Sequence, residues 1–154
     1  MSHGSLKERL EKRIPAEKII EVNRSFEVIG DLAITEIPES LEAYETIIGE
    51  EILNTNPSLK TVLKKSGIHE GAYRTQPLSV IAGAPSKDTI HHENNIKVRV
   101  NPETVYFSSK LSTERQKIAQ DIVPEEKVLV LFSGVGPYNF VATRVQPQLG
   151  FTTG

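Results

Sequence analysis

Apolar and polar positions alternate along this chain in short bursts, each closed by Gly, Pro or Asn, and the bursts switch between helical and strand periods. Leu6 to Arg13 predicts a brief amphipathic helix closed by Pro15. Ser25 to Ile37, SFEVIGDLAITEI, holds two β-rich runs around the tight-turn pair Gly30-Asp31, so a hairpin is expected, ended by Pro38. Ser40 is the expected N-cap of a helix reaching about Asn54. Leu41, Tyr44, Ile47, Ile48 and Ile52 recur there at helical spacing, with Glu42 and Glu45 facing outward. LKTVLKK, PLSVIAG, DTIHHEN and IKVRV then read as short strands. Ser112 or Thr113 opens a second helix through about Ile122, with Glu114 in its first turn, where an acid suits the helix dipole. Beyond Pro124, Lys127 to Phe132 predicts a continuous apolar strand suited to the middle of a parallel sheet. The final VATRVQPQLGFTTG loses both periods, and no further element is predicted.

These elements make a mixed α/β chain. A first module is expected over residues 1–100, a linker and helix over 101–126, and the start of a second unit from Lys127 onward. Composition narrows the class. The 154 residues suffice for one domain, or for one and the beginning of another. No window approaches the roughly 18 apolar residues of a membrane span, and the N-terminus lacks the apolar core of a secretory signal. There is no cysteine, hence no disulfide, thiolate metal site or cysteine nucleophile. A soluble, cytoplasmic protein without a membrane partner is the expectation.

The net charge of -2 conceals a segregation of sign. Glu27 to Glu51 carries eight acidic residues and no Lys or Arg, whereas Lys60, Lys64, Lys65 and Arg74 form one basic stretch, and Lys97, Arg99, Lys110, Arg115 and Lys117 a second. On one face, the two basic stretches would attract phosphate; apart, they are ordinary solvated positions.

The chemistry concentrates near the C-terminal end. In VLVLFSGVGPYNF a strand breaks into glycines at 134 and 136, which tolerate unusual dihedrals and let backbone approach a ligand. A lone G-x-G is equally a plain turn. Adjacent His91 and His92 face opposite sides of a strand and cannot jointly hold a metal. Tyr106 and Phe107 read as core aromatics, and Ser108, Ser109 and Ser112 lack a triad context.

Five stretches in order, SFEVIGDLAITEIP, LKTVLKKSG with GAYRT, IHHEN, VYFSSKLSTERQKIA and LFSGVGPY, resemble the archaeal and eukaryotic type of tRNA guanine-N1-methyltransferase acting at position 37, beside the anticodon. The resemblance spans roughly residues 20 to 142. It implies an α+β tRNA-positioning module followed by the first helix and strand of a Rossmann-like domain that binds S-adenosylmethionine, with tRNA as partner. It also implies backbone at Phe132, Gly134 and Gly136 facing the cofactor, and Arg115 contacting it. Arg74 is implied to hold negative charge on O6 of the target guanine, and Glu114 to act as general base for its N1 proton. Physical chemistry accords with these roles, since N1 is a poor nucleophile until its proton leaves and a guanidinium fork suits the charge that then spreads to O6. From the residues alone, Glu114 equally serves its helix terminus, Arg74 a surface pair and Arg115 an i,i+4 partner.

The chain departs from the family pattern at Val130, where an acid is usual, and in lacking the later ribose, adenine and Asn-Pro-Pro-Tyr-type motifs. The expectation is an N-terminal piece of such an enzyme, inert alone and ended by a frameshift or premature stop near Ala142. Self-association or pairing with a C-terminal half would cover its single strand. Two rivals remain. One is the related aminocarboxypropyl transferase of wybutosine synthesis, which prefers Gly-Asn where this chain has Lys110-Leu111. The other is a non-catalytic RNA-binding or docking module.

Overall fold

The computed structural model describes residues 5–66 and 75–153. Ser5 opens helix α1 (Leu6–Leu10) with a reciprocal capping box, its hydroxyl accepting from the Glu8 amide while the Glu8 carboxylate accepts from the Ser5 amide. Pro15 then caps α2 (Ala16–Ile19). Strands β1 (Glu27–Ile29) and β2 (Leu32–Thr35) form the expected antiparallel hairpin, with Gly30 at φ +57°. Helix α3 (Glu45–Thr55) crosses from β2 to β3 (Thr61–Lys65), which lies parallel to β2, and β4 (Leu78–Gly83) returns antiparallel. The sheet order is β1-β2-β3-β4.

Ser40 does not cap this helix. Glu39–Tyr44 winds as a 3-10 turn, α3 begins at Glu45, and the Ser40 hydroxyl donates to Glu21 instead. The tighter turn places Leu41 wholly inside.

The sheet is covered on both faces, which explains why β2 is buried at every position. Ala33 and Val62, opposite each other in register, face Leu10, Ile14, Leu41, Ile48 and Ile52 from the helices. Ile34 and Leu63, the next pair, face the other way onto Val98, Val100 and Phe107. That second cover is a separate antiparallel hairpin, β5 (Thr89–Glu93) and β6 (Ile96–Val100). Its turn residues Asn94 and Asn95 take φ of +44° and +60°, the left-handed values that a two-residue hairpin turn demands. Of the two aromatics read as core, Phe107 is buried and Tyr106 is exposed, because neighbours in extended chain point oppositely.

The C-terminal part departs furthest from expectation. After α4 (Ser112–Asp121), strand β7 spans only Lys127–Leu129, and the supposedly featureless tail forms helix α5 (Pro137–Val145) and strand β8 (Phe151–Thr153). β8 pairs parallel with β7, so β7 is not alone but part of a β-α-β unit. α5 packs against α4 and buries Pro137, Val141 and Ala142. β7 is not a central strand here either. Phe132 turns to φ +55° and ends the extended run, and Leu129, Leu131 and Phe132 are exposed. No helix among the described residues is long and apolar enough to cross a membrane.

Gly30 joins the two halves. A Cβ there would collide with the Thr89 hydroxyl and lie 2.7 Å from the Ile90 carbonyl oxygen, on a backbone already left-handed. Replacing Gly30 by Ala is expected to destabilise the chain by about 1–3 kcal/mol, from strain together with displacement of β5. Denaturant unfolding monitored by circular dichroism measures it.

Candidate functional site

The hairpin β5–β6 sorts its side chains by the strand period. Thr89, His91 and Glu93 point inward, whereas Ile90, His92, Lys97 and Arg99 are on the outer side. On the inner side Thr89 donates to Asp31 at 2.6 Å and accepts from the Asp31 amide at 3.0 Å. This hydroxyl, aided by Lys60 at 3.0 Å, holds the Asp31 carboxyl below its ordinary pKa. His91 Nδ1 accepts from the Gly30 amide at 3.2 Å, so its proton sits on Nε2 and points to Glu93, also at 3.2 Å. The His91 ring packs edge-on against Phe107, with centroids 5.0 Å apart.

Glu93 in turn holds Arg115. The guanidinium reaches it through Nε at 2.5 Å and Nη2 at 2.6 Å, and Nη2 also donates to the Ser108 carbonyl at 3.0 Å. Arg115 is only 2% exposed, and its cation lies between the rings of Phe107 and Tyr138, at 5.3 and 5.7 Å. α4 therefore docks through a charge, with Ala119 one turn on completing its buried stripe. The i,i+4 role considered for Arg115 is not what this geometry shows, since its partner lies 22 positions away on β5.

Next to Arg115, Glu114 points outward and accepts a hydrogen bond from the Tyr138 hydroxyl at 2.9 Å. Burial, and then this carboxylate, raise the Tyr138 phenol above its ordinary pKa. Tyr138 follows Pro137 at the start of α5, directly after the loop through Phe132, Gly134 and Gly136, all three at positive φ. Glu114 and the glycine loop thus meet through one phenol. Arg74 lies outside the described residues.

A nucleoside sulfonium donor needs backbone donors, open space and an apolar wall at such a loop. The residues present fit part of it. A Cβ at Gly134 would have only Tyr106 O, at 3.7 Å, as a neighbour, so the loop is open, and Phe132 is fully exposed beside it. A separate open cleft of about 700 Å³ lies by Asp31, Lys60, Asp88, His92 and Arg99, with neither Glu114 nor the loop in its wall. Among the described residues no group of His, Asp or Glu could hold a metal ion.

Among the described residues of the first basic stretch, each lysine is paired with a carboxylate. Lys60 pairs with Asp31, Lys64 with Glu42 and Glu45, and Lys65 with Glu36, because β3 lies beside β2 and beneath α3, where the acidic segment runs. In the second stretch Lys97 and Arg99 are exposed on β6 and have no carboxylate partner among the described residues.

Residues 6–87 match the family model described as TYW2 N-terminal domain, and residues 89–148 match TRM5/TYW2 methyltransferase domain. The chain belongs to the TRM5/TYW2 family. It is 40% identical over 120 residues to tRNA (guanine(37)-N(1))-methyltransferase Trm5b of Pyrococcus abyssi, covering 78% of this chain and 36% of that one. The crystal structure of that Trm5b superposes with a TM-score of 0.81 at 35% identity, over 94% of this chain and 44% of the other. A complex of aTrm5 with tRNALeu gives 0.80 at 29% identity, over 94% and 44%. Methanocaldococcus jannaschii Trm5 with adenosine gives 0.70 at 30%, over 83% and 39%. The chain therefore spans about a third of the length of that curated relative.

Sequence reasoning missed Glu93, His91 and Tyr138. The signal for Glu93 was present, because a carboxylate two positions from His91 on an inward-facing strand needs a buried cation. Replacing Glu93 by Gln is expected to cost about 3–5 kcal/mol, since it strands a buried guanidinium, whereas the double variant Glu93→Gln/Arg115→Met is expected to recover most of that loss. Equilibrium urea unfolding of the single and double variants distinguishes the two.

Proposed function

We propose that this chain supplies the base-bearing helix and the first methyl-donor loop of a tRNA guanine-N1-methyltransferase acting at position 37. The observation that carries this reading is the Tyr138 hydroxyl bond to Glu114, which brings a carboxylate to the mouth of the Phe132–Gly136 loop. S-adenosylmethionine, when bound, supplies an electrophilic methyl group. Glu114 accepts the N1 proton of guanine, which frees the ring nitrogen lone pair for attack. Arg74 is assigned to the charge that then develops on O6. Backbone at Phe132, Gly134 and Gly136 faces the donor. Arg115 has its guanidinium on Glu93 and Ser108, and in this reading it serves the donor site by fixing α4.

This reading is supported by the methyltransferase-domain match and by the names of the relatives. Adenosine bound in a related Trm5, and tRNA in another, support the donor class and the nucleic-acid partner. In the protein that carries this chain, Glu114→Gln is expected to lower methyl transfer to a tRNA with guanine at 37 by roughly 10²–10⁴-fold while calorimetric affinity for S-adenosylmethionine changes little. Retention of the full rate by that variant would remove Glu114 as the base.

The hairpin's outer side gives tRNA a place to lie. Lys97 and Arg99 are two residues apart on one strand, so they stand about 7 Å from each other on the same side, with His92 opposite Lys97. Such a row suits a phosphodiester backbone. Substituting Lys97 and Arg99 by Ala is expected to reduce the slope of log affinity against log salt by about 1.5, whereas Lys64→Ala with Lys65→Ala leaves it unchanged. Filter binding of tRNA across a salt series measures both slopes.

A second reading, transfer of the aminocarboxypropyl group from the same donor, is favoured by the TYW2 description of residues 6–87. Mass spectrometry of the nucleoside product separates the two.

A further inference from the structure

The IHHEN stretch carries no substrate or donor role, and its glutamate joins a run of side-chain contacts that reaches from the Gly30 turn to Tyr138. Glu93 is buried and faces three elements at once. Toward the N-terminal sheet it meets His91, whose other nitrogen is held by the Gly30 amide in the β1–β2 turn. Toward α4 it takes both Nε and Nη2 of Arg115. Through Arg115 it reaches the Ser108 carbonyl and the faces of Phe107 and Tyr138.

Arg115 and Glu114 are neighbours in the first turn of α4, and no side-chain hydrogen bond caps that helix. Asn94 Nδ2 holds the terminus to the β5–β6 turn by donating to the carbonyl and hydroxyl of Ser112, at 2.9 and 3.3 Å. Three residues on, a planar guanidinium bound at two nitrogens fixes which face of the helix turns inward, because a two-point bond fixes a plane where a single contact fixes only a distance. With Arg115 turned inward to Glu93, the adjacent Glu114 is turned outward, to the side where Tyr138 begins α5. The same guanidinium covers the face of the Tyr138 ring, so both ends of the Glu114–Tyr138 bond are located by one group.

We propose that Glu93 is a positioning residue for Glu114: by gripping Arg115 it fixes the rotation of α4 that brings the Glu114 carboxylate to Tyr138 at the donor loop, and through His91 it ties that placement to the docked β1–β2 turn. The inference rests on the reading of Glu114 as the base. It assigns Glu93 no contact with substrate or donor.

Two variants test it without changing any formal charge. Glu93→Asp withdraws the carboxylate by one methylene, and Arg115→Lys replaces the fork by a point charge. In the full chain labelled with [13C]tyrosine, the Tyr138 ring signal, assigned by its loss in Tyr138→Phe, is titrated through the alkaline range. Glu114→Gln is expected to bring the Tyr138 midpoint down toward the ordinary phenol value by roughly half a unit or more, because a neighbouring anion no longer opposes ionisation. Glu93→Asp leaves the Arg115 cation, which itself lowers the phenol, in the chain and is expected to produce a fall in the same direction that does not add to that of Glu114→Gln; in Arg115→Lys the displaced cation raises the midpoint, so the expected outcome there is that a further Glu114→Gln shifts it less than the same change shifts the parent. Leu10→Ala, a core substitution in the other cluster, loses stability yet leaves the midpoint in place.

An unchanged Tyr138 midpoint in Glu93→Asp overturns the proposal, as does an undiminished effect of Glu114→Gln in the Arg115→Lys background, or a Glu114→Gln chain whose Tyr138 titrates like the parent. No donor or RNA enters the measurement. A chain that gives the expected falls but transfers no methyl group keeps the positioning and loses only the base assignment.

Discussion

A buried carboxylate and a buried guanidinium cannot each be left alone in an apolar interior, and the placement of Glu93 and Arg115 is the constraint on which the C-terminal half of the chain depends. Taking either ion out of water costs several kcal/mol, and the cost is offset only when geometry and additional hydrogen bonds are good. Here Arg115 makes two bonds to Glu93 and one to Ser108, while Glu93 also takes the His91 contact. A small rotation of α4 would break these together. The pair contributes modestly to net stability, because the attraction between the ions is largely offset by the cost of burying them.

The same economy shows in the N-terminal sheet. β2 and β3 lie parallel, and parallel strands need cover on both faces. α3 and the N-terminal helices supply one cover from local sequence. The other comes from a hairpin some thirty residues away, seated by Val98, Val100 and Phe107 and located by Asp31, Thr89 and Gly30. Because the hairpin is at once a cover for the first sheet and the anchor of α4, the Phe132–Gly136 loop that follows is located relative to that sheet without belonging to it.

How much of this was legible in the sequence depended on whether the information was local. The Gly30-Asp31 hairpin, the strands at 61–65, 78–83, 89–93 and 96–100, and α4 follow from period and turn chemistry, and they form where expected. Ser40 was misread because capping propensity does not register that Glu21 competes for the hydroxyl. α5 and β8 were invisible for a different reason. α5 runs for nine residues and β8 for three, spans over which neither period repeats often enough to stand out. The segregated charges were visible but their meaning was not, since sequence distance hides that β3 and the acidic segment are neighbours in space.

The candidate site was half legible for the same reason. Glu114 and the glycine loop stand in recognisable stretches, whereas the groups that place them are pairs between distant segments. Glu93 and Arg115 are 22 positions apart, and Glu114 and Tyr138 are 24. Residues that react must carry a particular chemistry at a particular spacing, and so they leave motifs. Residues that position them need only an opposite charge, or a hydroxyl, at the right point in space, and many sequences satisfy that. The glycine loop and Glu114 thus each stand in a short recognisable stretch, while the contact between them through Tyr138 is written in the fold.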